Sequence, residues 1–376
     1  MRINNIDYDN CPTNIANSIL KYFDETPLNN SFEYLDDLLS KIKPRNVVLL
    51  LCDGLGYNIL KRSLSNEAFL VENNKKVYNA VFPSTTTAAT TSLITGLNPN
   101  QHGWLGWENY IPPIDQVVVM YTNMIKDTEI PAGDENVSYK YFGYETIFDK
   151  INKTGKHRAT YLSPYEINKY QDFDDLCQKI IGLCNEKGKN YIYGYYANPD
   201  TIMHETGTNS KETIAEIKML NDKIEQLCNK LTDTLIIITS DHGHKNCTYF
   251  VLDDYPKIKD CTKRITSIEA RASMFFIKDD KIDEFKSLFN ETFGDFFVLL
   301  DRDEIIETQL FGTGNNHELF NDCLGDFIAV AIADKNIKYN RETEYLASTH
   351  GGNTNDEVLL PLIIIDKTEK EKIFNE

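Results

Sequence analysis

Side chains that bind metal ions recur in four short motifs of this 376-residue chain. Together the motifs supply three aspartates and three histidines. They are Cys52-Asp53-Gly54, Pro199-Asp200 followed by His204, Ser240-Asp241-His242-Gly243, and Thr349-His350-Gly351-Gly352. Carboxylates and imidazoles in this number are enough to hold two catalytic divalent metal ions, provided that the fold brings them together.

A threonine-rich segment adds hydroxyl groups to this set. Phe82-Pro83 starts an extended turn, and Ser84-Thr85-Thr86-Thr87 then leads into a helix of small residues that closes at Thr95-Gly96. A hydroxyl at the start of a helix lies beside free backbone N–H groups and the positive end of the helix dipole, which favours a bound phosphate. The hydroxyl becomes a good nucleophile when a metal ion or a base removes its proton. The alternative is that these threonines only cap the helix.

Two of the acidic motifs also have an ordinary structural interpretation. Asp53 precedes a glycine and could simply form a turn or cap a helix. Asp200 and His204 are four residues apart, so on one helical turn both would face the same point, which is a metal-ligand spacing. A capping aspartate with a surface histidine is the alternative for that pair.

The remaining histidines are weaker signals when taken singly. Asp241 and His242 are adjacent and can share a metal ion only on a bent loop, which Gly243 allows. His244 could be the ligand instead, or a donor that orients a ligand. His350 alone would be interpreted as an ordinary loop histidine. All the motifs together, each at the end of an apolar run or opening a turn, favour a shared metal site.

Apolar runs precede the polar motifs and predict a parallel sheet. Continuous apolar runs of this length are typical of strands buried on both faces. They are Asn46–Cys52, Tyr191–Tyr196 and Thr234–Thr239. Between the last two, Thr213–Leu231 has apolar residues at three- and four-residue steps, which predicts an amphipathic crossover helix. Because parallel strands end at one edge of a sheet, we expect the motifs to meet in one cleft.

The chain is predicted to carry an inserted cap. A strand is predicted at Val358–Ile365, just after the His350 turn. Residues 247–345 contain further predicted elements, which are a strand at Ala272–Ile277, a helix at Lys281–Phe293 and a strand at Asp326–Ile332. Because metal-type motifs lie on both sides of this region, we interpret 1–246 and 346–376 as the catalytic domain and 247–345 as an α+β cap.

The overall charge argues against one class of partner. Acidic residues outnumber basic residues by 57 to 39, and the formal net charge is −18. A grip on long nucleic acid needs clustered lysine and arginine, so that partner is not expected. A small phosphorylated substrate is compatible with this charge, because bound metal cations reverse the local field.

The cysteines and the hydropathy profile predict a cytoplasmic protein. The eight cysteines form no CxxC pair, which favours reduced thiols in a reducing compartment. The amino-terminal segment has no apolar stretch of signal-peptide length, and no run approaches the about 20 residues that span a bilayer. We therefore expect no membrane association. The sequence makes no prediction of the oligomeric state.

In their order along the chain, these motifs resemble the alkaline phosphatase superfamily, and within it the type I phosphodiesterase and nucleotide pyrophosphatase family. The resemblance extends from about Asn46 to Leu362, with the cap excepted. It implies a three-layer α/β/α sandwich of the alkaline phosphatase type, with a mostly parallel central sheet. It also implies a hydrolase of phosphoric ester bonds that uses two divalent metal ions, normally Zn²⁺.

The resemblance also assigns roles to the motif residues. One zinc ion would be held by Asp200, His204 and His350, and the other by Asp53, Asp241, His242 and Thr86. The nucleophile is placed at Thr86 by its distance from Leu93-Ile94-Thr95-Gly96-Leu97, with Thr85 as the alternative. Histidine-rich sites accept several divalent ions, so zinc rather than manganese or iron follows from the resemblance alone.

Substrate contacts depart from the family pattern. In the nucleotide pyrophosphatases, Phe-Pro-Asn follows the nucleophilic threonine, and its asparagine helps to hold a phosphate oxygen. Here Thr87-Ala88-Ala89 follows, so we assign that contact to the backbone N–H of Thr87. Arg271 lies in the cap, and the sequence assigns it no role. Four aromatic residues could form an apolar wall for a leaving group, with ordinary packing as the alternative. They are Trp104, Trp107, Tyr110 and Tyr121, of which Trp107 is the predicted substrate contact.

The mechanism that the resemblance implies is in-line attack by Thr86 on phosphorus, followed by hydrolysis of a phosphothreonine by water. Three other functions stay open. A phosphonate hydrolase of the phosphonoacetate type would use the same ligands. A metal-dependent phosphosugar mutase normally uses a serine, against which the threonine-rich turn argues. A non-catalytic binding scaffold could keep the same fold without metal ions.

Overall fold

A computed structural model describes residues 3–165 and 168–368 of the chain. Its centre is a six-stranded sheet. In spatial order the strands are Asn74–Asn79, Leu359–Asp366, Thr234–Thr239, Asn46–Cys52, Asn190–Tyr196 and Arg158–Leu162. Leu359–Asp366 is antiparallel to both of its neighbours, and the other neighbouring pairs are parallel. The predicted mostly parallel central sheet is therefore confirmed.

The strands predicted from apolar runs form the middle of this sheet. Asn46–Cys52 and Thr234–Thr239 have the predicted bounds, and Asn190–Tyr196 begins one residue earlier than predicted. Every residue of the first two strands is buried. Continuous apolar sequence is required at these positions because helices cover both faces of the sheet.

The direction of the last strand explains why the His350 turn reaches the same edge as the other motifs. The strand predicted at Val358–Ile365 is present as Leu359–Asp366 and runs opposite to Thr234–Thr239. Residues that precede an antiparallel strand lie at the edge where its parallel neighbours end. The turn that carries His350 is therefore beside the loops that follow the parallel strands.

Helices pack on both faces of the sheet and give the predicted three layers. One apolar core joins the sheet to the helices Pro12–Tyr22, Glu33–Ile42 and Ile147–Lys153. A second core joins the opposite face to the helices Phe173–Cys184 and Lys211–Cys228. The second of these is the predicted crossover helix, shifted slightly from Thr213–Leu231.

Further helices complete the described chain. The other α-helices are Tyr57–Ser63, Phe69–Glu72, Thr86–Thr95, Pro99–His102, Val137–Tyr141, Asp200–Thr206, Pro256–Lys259, Ile282–Phe293, Arg302–Glu307, Phe320–Cys323 and Asn355–Val358. Three turns of 3₁₀-helix are Pro112–Ile114, Leu252–Asp254 and Asp279–Lys281. None of the described helices is long and apolar enough to cross a bilayer. All eight cysteines are free thiols.

A second sheet of seven antiparallel strands lies outside the sandwich. In spatial order its strands are Phe297–Asp301, Phe327–Ala331, Ala272–Phe275, Ser267–Glu269, Glu108–Ile111, Gln116–Val119 and Met124–Ile125. Four of them belong to the predicted cap, and three come from residues 108–125. The predicted cap elements are present as Ala272–Phe275, Ile282–Phe293 and Phe327–Ala331. The cap limits at 247 and 345 stay a prediction.

Two small sheets tie loops together. Lys245–Asn246 pairs with Ser348–Thr349 in antiparallel orientation. This pairing fixes the turn after Asp241-His242 against the turn that carries His350. Thr248–Val251 pairs with Lys335–Lys338 in parallel orientation within the region predicted as the cap.

Candidate metal and phosphoryl-transfer site

Backbone hydrogen bonds hold the loops at the sheet edge in register. Asp53 directly follows the strand Asn46–Cys52, and its N–H donates to the carbonyl of Tyr196 at 2.9 Å. The N–H of Asp200 donates to the carbonyl of Asp53 at 3.0 Å, and the N–H of Gly54 donates to Asp241 Oδ1 at 3.2 Å. The predicted aspartates therefore share one edge of the sheet.

Asp53, Asp241 and His242 form one compact group of possible metal ligands. His242 Nε2 lies 3.3 Å from Asp53 Oδ1 and 3.5 Å from Asp241 Oδ2. Two ligands of one tetrahedral zinc ion are about 3.3 Å apart when the bonds are about 2.0 Å long. These separations therefore fit a shared cation better than direct hydrogen bonds.

The same group contains buried carboxylate oxygens that the described residues leave unsatisfied. Asp53 Oδ1 and Asp241 Oδ2 are buried and have no hydrogen-bond partner in that part of the chain. Burial, with the neighbouring Asp53 adding to the effect, raises the pKa of Asp241 to about 8. Burial also raises the pKa of Asp53 well above its usual value, with Asp200 adding to the effect. Such oxygens fit a bound cation, which compensates buried negative charge.

Asp200, His204, His244 and His350 form the second group of possible ligands. The Nε2 atoms of His204 and His350 lie 3.4 Å and 3.7 Å from Asp200 Oδ1. These separations are again close to the about 3.3 Å expected between ligands of a tetrahedral ion. The predicted assignment of Asp200, His204 and His350 to one metal ion is compatible with this geometry.

His244 stands closer to Asp200 than a second ligand of the same ion would. Its Nε2 lies 2.5 Å from Asp200 Oδ1, and its Nδ1 lies 3.0 Å from the hydroxyl of Ser348. The first distance is that of a short hydrogen bond. Of the two roles that the sequence left open for His244, this separation favours orientation of the Asp200 carboxylate.

Hydrogen bonds on the outer side of two histidines orient their inner nitrogen atoms. His204 Nδ1 lies 2.8 Å from the carbonyl of Ser348, and His242 Nδ1 lies 3.0 Å from the carbonyl of Gly243. A ring nitrogen that faces a carbonyl must carry a hydrogen, so in the neutral imidazole Nε2 keeps its lone pair. Metal-binding histidines in proteins are fixed in this way. When His204 and His242 are neutral, as metal ligands must be, the lone pair is on the nitrogen that faces the carboxylates.

Thr86 is the hydroxyl that the fold brings to the first group. It is the first residue of the helix Thr86–Thr95, and its Oγ1 lies 3.0 Å from His242 Nε2 and 3.4 Å from Asp53 Oδ2. The alternative residue, Thr85, instead donates its hydroxyl hydrogen to Glu269 Oε1 at 2.6 Å. The geometry therefore favours Thr86 over Thr85 as the nucleophile.

A cavity of about 460 Å³ opens beside these groups. Thr86, Asp200, His204 and His350 line it, together with Trp107. The other lining side chains include Glu269 of the second sheet, Lys126 directly after its strand Met124–Ile125, and Tyr249, Lys338 and Tyr339 in or next to the small parallel sheet. The volume admits a phosphoryl group with a leaving group of several heavy atoms.

The predicted aromatic wall is present only in part. Trp107 is 43% exposed and lines the cavity, and Tyr121 packs against it with ring centroids 5.5 Å apart. Trp104 is fully buried in the core. Tyr110 packs on Phe276. The alternative of ordinary packing therefore holds for Trp104 and Tyr110.

Thr87, the other predicted substrate contact, is a buried residue of the helix Thr86–Thr95. Its Oγ1 has no hydrogen-bond partner among the described residues. Its backbone N–H is one of those at the start of a helix that have no acceptor within the helix itself. This donor is therefore available beside the Thr86 hydroxyl.

Sequence reasoning missed Tyr195 and Glu269 and assigned no role to Arg271. The hydroxyl of Tyr195 donates to Asp53 Oδ2 at 2.5 Å. Arg271 is fully buried and makes a bidentate ion pair with Glu357, whose Oε1 also accepts the N–H of Gly352 at 2.8 Å. Arg271 is therefore a support for the turn that carries His350. No sequence pattern indicated these contacts, because each depends on which elements pack together.

Comparisons with known proteins show which family this chain resembles. Residues 47–353 match the family described as type I phosphodiesterase / nucleotide pyrophosphatase. A curated relative is a 2,3-bisphosphoglycerate-independent phosphoglycerate mutase from Antithamnion sp., 38% identical over 105 residues. That match covers 27% of this chain and 18% of the length of the mutase.

Solved structures show the same fold. Human ectonucleotide pyrophosphatase / phosphodiesterase 5 superposes with a TM-score of 0.65 at 19% identity, over 84% of this chain and 87% of that one. An inactive variant of the murine protein in complex with AMP superposes with a TM-score of 0.63 at 19% identity, with the same coverage. The family match covers most of the chain, and the structural matches share its sandwich. The chain therefore belongs to the type I phosphodiesterase / nucleotide pyrophosphatase family.

Proposed function

We propose that this protein hydrolyses phosphodiester or nucleotide pyrophosphate bonds through a covalent phosphothreonine on Thr86. The observation that carries the proposal is the position of Thr86 Oγ1, 3.0 Å from His242 Nε2 and 3.4 Å from Asp53 Oδ2. A hydroxyl among these groups, at the start of a helix, is suited to attack a bound phosphoryl group. Family membership supports the same reaction class.

The residues fit two divalent metal ions, for which zinc is our proposal. Asp53, Asp241, His242 and Thr86 would hold one ion, and Asp200, His204 and His350 would hold the other. Such ions stabilise charge on phosphoryl oxygens and lower the pKa of the hydroxyl groups and water that they coordinate. The unsatisfied oxygens of Asp53 and Asp241 support this assignment.

The chain itself positions the reacting atoms. In the first step the Thr86 hydroxyl loses its proton to solvent, a bond forms between Thr86 Oγ1 and phosphorus, and the bond from phosphorus to the leaving oxygen breaks. The N–H of Thr87 would donate to a phosphoryl oxygen, and Trp107 would pack against the leaving group. In the second step water attacks phosphorus and releases Thr86. Because one structural neighbour was solved with AMP, small nucleotide esters are the first substrates to test.

Thr86→Ala tests the covalent mechanism. We expect turnover of bis(p-nitrophenyl) phosphate to fall by at least about a thousandfold, because the nucleophile is lost. Metal content measured by elemental analysis should stay nearly unchanged, since the other ligands remain. Thr86→Ser keeps the hydroxyl and should keep part of the activity.

Retained activity in Thr86→Ala would contradict the covalent step. The same assay should include phosphonoacetate, because release of inorganic phosphate from it in preference to the diester would favour the phosphonate hydrolase alternative. Absence of bound metal ions, together with absence of turnover of any phosphoester or phosphonate, would favour the non-catalytic scaffold.

A further inference from the structure

Thr85 occupies the N-cap position of the helix Thr86–Thr95 but does not cap it. A threonine at this position ordinarily accepts a hydrogen bond from the second or third N–H of its helix, which here belong to Thr87 and Ala88. Its hydroxyl instead donates to Glu269 Oε1 at 2.6 Å. Within residues 3–165 and 168–368, no hydrogen bond from the N–H of Thr86, Thr87 or Ala88 is present.

Glu269 is held in place from three sides. Its Oε1 also accepts the backbone N–H of Trp107 at 2.9 Å. Gly351 packs closely against it, since a Cβ built on that glycine would lie 2.9 Å from the Cβ of Glu269. Glu269 ends the strand Ser267–Glu269 of the second sheet and lines the same cavity as Thr86. Its carboxylate therefore provides a fixed acceptor for the Thr85 hydroxyl.

We propose that Glu269 is a positioning residue that holds the Thr85 hydroxyl away from the helix, so that the N–H groups of Thr87 and Ala88 stay free to bind the phosphoryl group. This inference rests on the proposed function, and it assigns a role to a residue of the second sheet. Two open N–H groups at a helix start bind an anionic oxygen. If the Thr85 hydroxyl accepted a hydrogen bond from one of these N–H groups, that bond would have to break before the N–H group could bind a phosphoryl oxygen.

Four variants separate this role from the others that Glu269 could have. Glu269→Ala removes the acceptor, so the Thr85 hydroxyl is free to rotate and accept a hydrogen bond from the N–H of Thr87 or Ala88. Thr85→Val removes the hydroxyl and cannot cap the helix. The double variant lacks both groups. Glu269→Gln is the matched control, because its amide oxygen still accepts a hydrogen bond from Thr85 although the charge is lost.

The proposal predicts a specific pattern of coupling. Glu269→Ala should lower kcat/KM for bis(p-nitrophenyl) phosphate by about 5- to 30-fold, the factor that corresponds to one N-cap hydrogen bond. Binding of orthovanadate to the zinc-loaded protein should weaken by a similar factor. Thr85→Val and Glu269→Gln should stay within about threefold of wild type. The double variant should regain most of the loss, with zinc content equal in all proteins.

Crystal structures of the metal-loaded variants would show the orientation of the Thr85 hydroxyl directly. In Glu269→Ala the Thr85 Oγ1 should accept from the N–H of Thr87 or Ala88. Several results would overturn the proposal: a loss in Thr85→Val as large as in Glu269→Ala, no recovery in the double variant, or equal losses in Glu269→Gln and Glu269→Ala. If Glu269→Ala does not fold, Thr85→Val and Glu269→Gln still test the proposal, because a loss of kcat/KM clearly larger than about threefold in either variant would contradict it. Absence of phosphoester turnover in the wild-type protein would refute the proposed function, while vanadate affinity and the Thr85 orientation would still test Glu269.

Discussion

Tyr195 and Tyr193 lie two positions apart on one strand, yet their hydroxyl groups have different surroundings. The Tyr195 hydroxyl donates to Asp53 Oδ2 at 2.5 Å, whereas the buried Tyr193 hydroxyl has no hydrogen-bond partner in the described part of the chain. Partners of metal-binding carboxylates orient them for the ion. Tyr195 is therefore expected to contribute to metal affinity, and Tyr193 is not.

The two tyrosines provide a matched test. Tyr195→Phe should weaken zinc binding at the group of Asp53, Asp241 and His242 by about 10- to 100-fold, because Asp53 loses its orienting donor. Competition with a chromophoric chelator measures this affinity. Tyr193→Phe should leave zinc affinity unchanged and should not lower the free energy of unfolding, since it removes an unsatisfied buried hydroxyl. Equal zinc affinities in both variants would contradict this role of Tyr195.

For single residues, the sequence shows which side chains are present but not what they contact. The motifs that contain the seven predicted metal and nucleophile residues could be selected because each lies next to an apolar run or a turn, while the roles of these residues follow from the family resemblance. Glu269 and Tyr195 are ordinary residues within strands, and their partners Thr85 and Asp53 are far away in the sequence. Only the packing of one element on another shows what they contact.

The elements that carry the site pack too closely for any side chain at some positions. A Cβ on Gly243 would lie 2.0 Å from the backbone oxygen of Asp356. Gly56 also has no room for a side chain, because its Cβ would lie 2.6 Å from the Cα of Gly243. Backbone atoms are therefore in direct contact where three elements meet. These elements are the loop after Thr234–Thr239, the loop after Asn46–Cys52 and the helix Asn355–Val358.

Gly243→Ala should displace this junction. We expect a loss of about 3 kcal/mol or more in the free energy of unfolding, because backbone atoms cannot give way as side chains do. Zinc binding should fall as well, since His242 is adjacent. Gly182→Ala is the control, because it lies in the helix Phe173–Cys184 with no heavy atom within 4 Å of a Cβ. Urea denaturation should show Gly182→Ala equal to or slightly more stable than wild type, and a similar loss in both variants would contradict the argument.

Element type could be predicted well from the sequence, but element direction could not. Continuous apolar runs predicted the central strands to within a residue, since burial on two faces imposes that composition. The antiparallel direction of Leu359–Asp366 has no such signature. The pairing of residues 108–125 with strands near residues 267–275 was not predicted for the same reason.

At the scale of the whole molecule, the site concentrates buried negative charge that the protein must balance. Burial raises the pKa of Asp241 to about 8, with Asp53 adding to the effect. Burial lowers the pKa of His204, but the negative charge of Asp200 raises it by more, and the pKa rises to about 9. Both groups therefore bind a proton in the folded, metal-free protein at a pH where the unfolded chain has released it. Linkage then requires stability to fall as the pH rises through this range.

Metal removal should make the stability depend on pH. Between pH 7 and 8.5 the EDTA-treated protein should lose about 1 kcal/mol or more of unfolding free energy, because the unfolded values of about 4 for aspartate and about 6.5 for histidine lie below this window. Burial lowers the pKa of His244 to about 4, so this histidine is neutral in both states there. The zinc-loaded protein should be more stable, and its unfolding free energy should depend less on pH. The same pH dependence with and without zinc would contradict this account.

The placement of Leu359–Asp366 between Asn74–Asn79 and Thr234–Thr239 has a consequence for biosynthesis. A nascent chain from which Leu359–Asp366 has not yet emerged holds two strands whose facing backbone groups have no partner, and unpaired strand edges invite association with other chains. Leu359–Asp366 fills that gap between its two neighbours. Its arrival from the ribosome therefore both closes the sheet and fixes the turn of His350 beside the other loops.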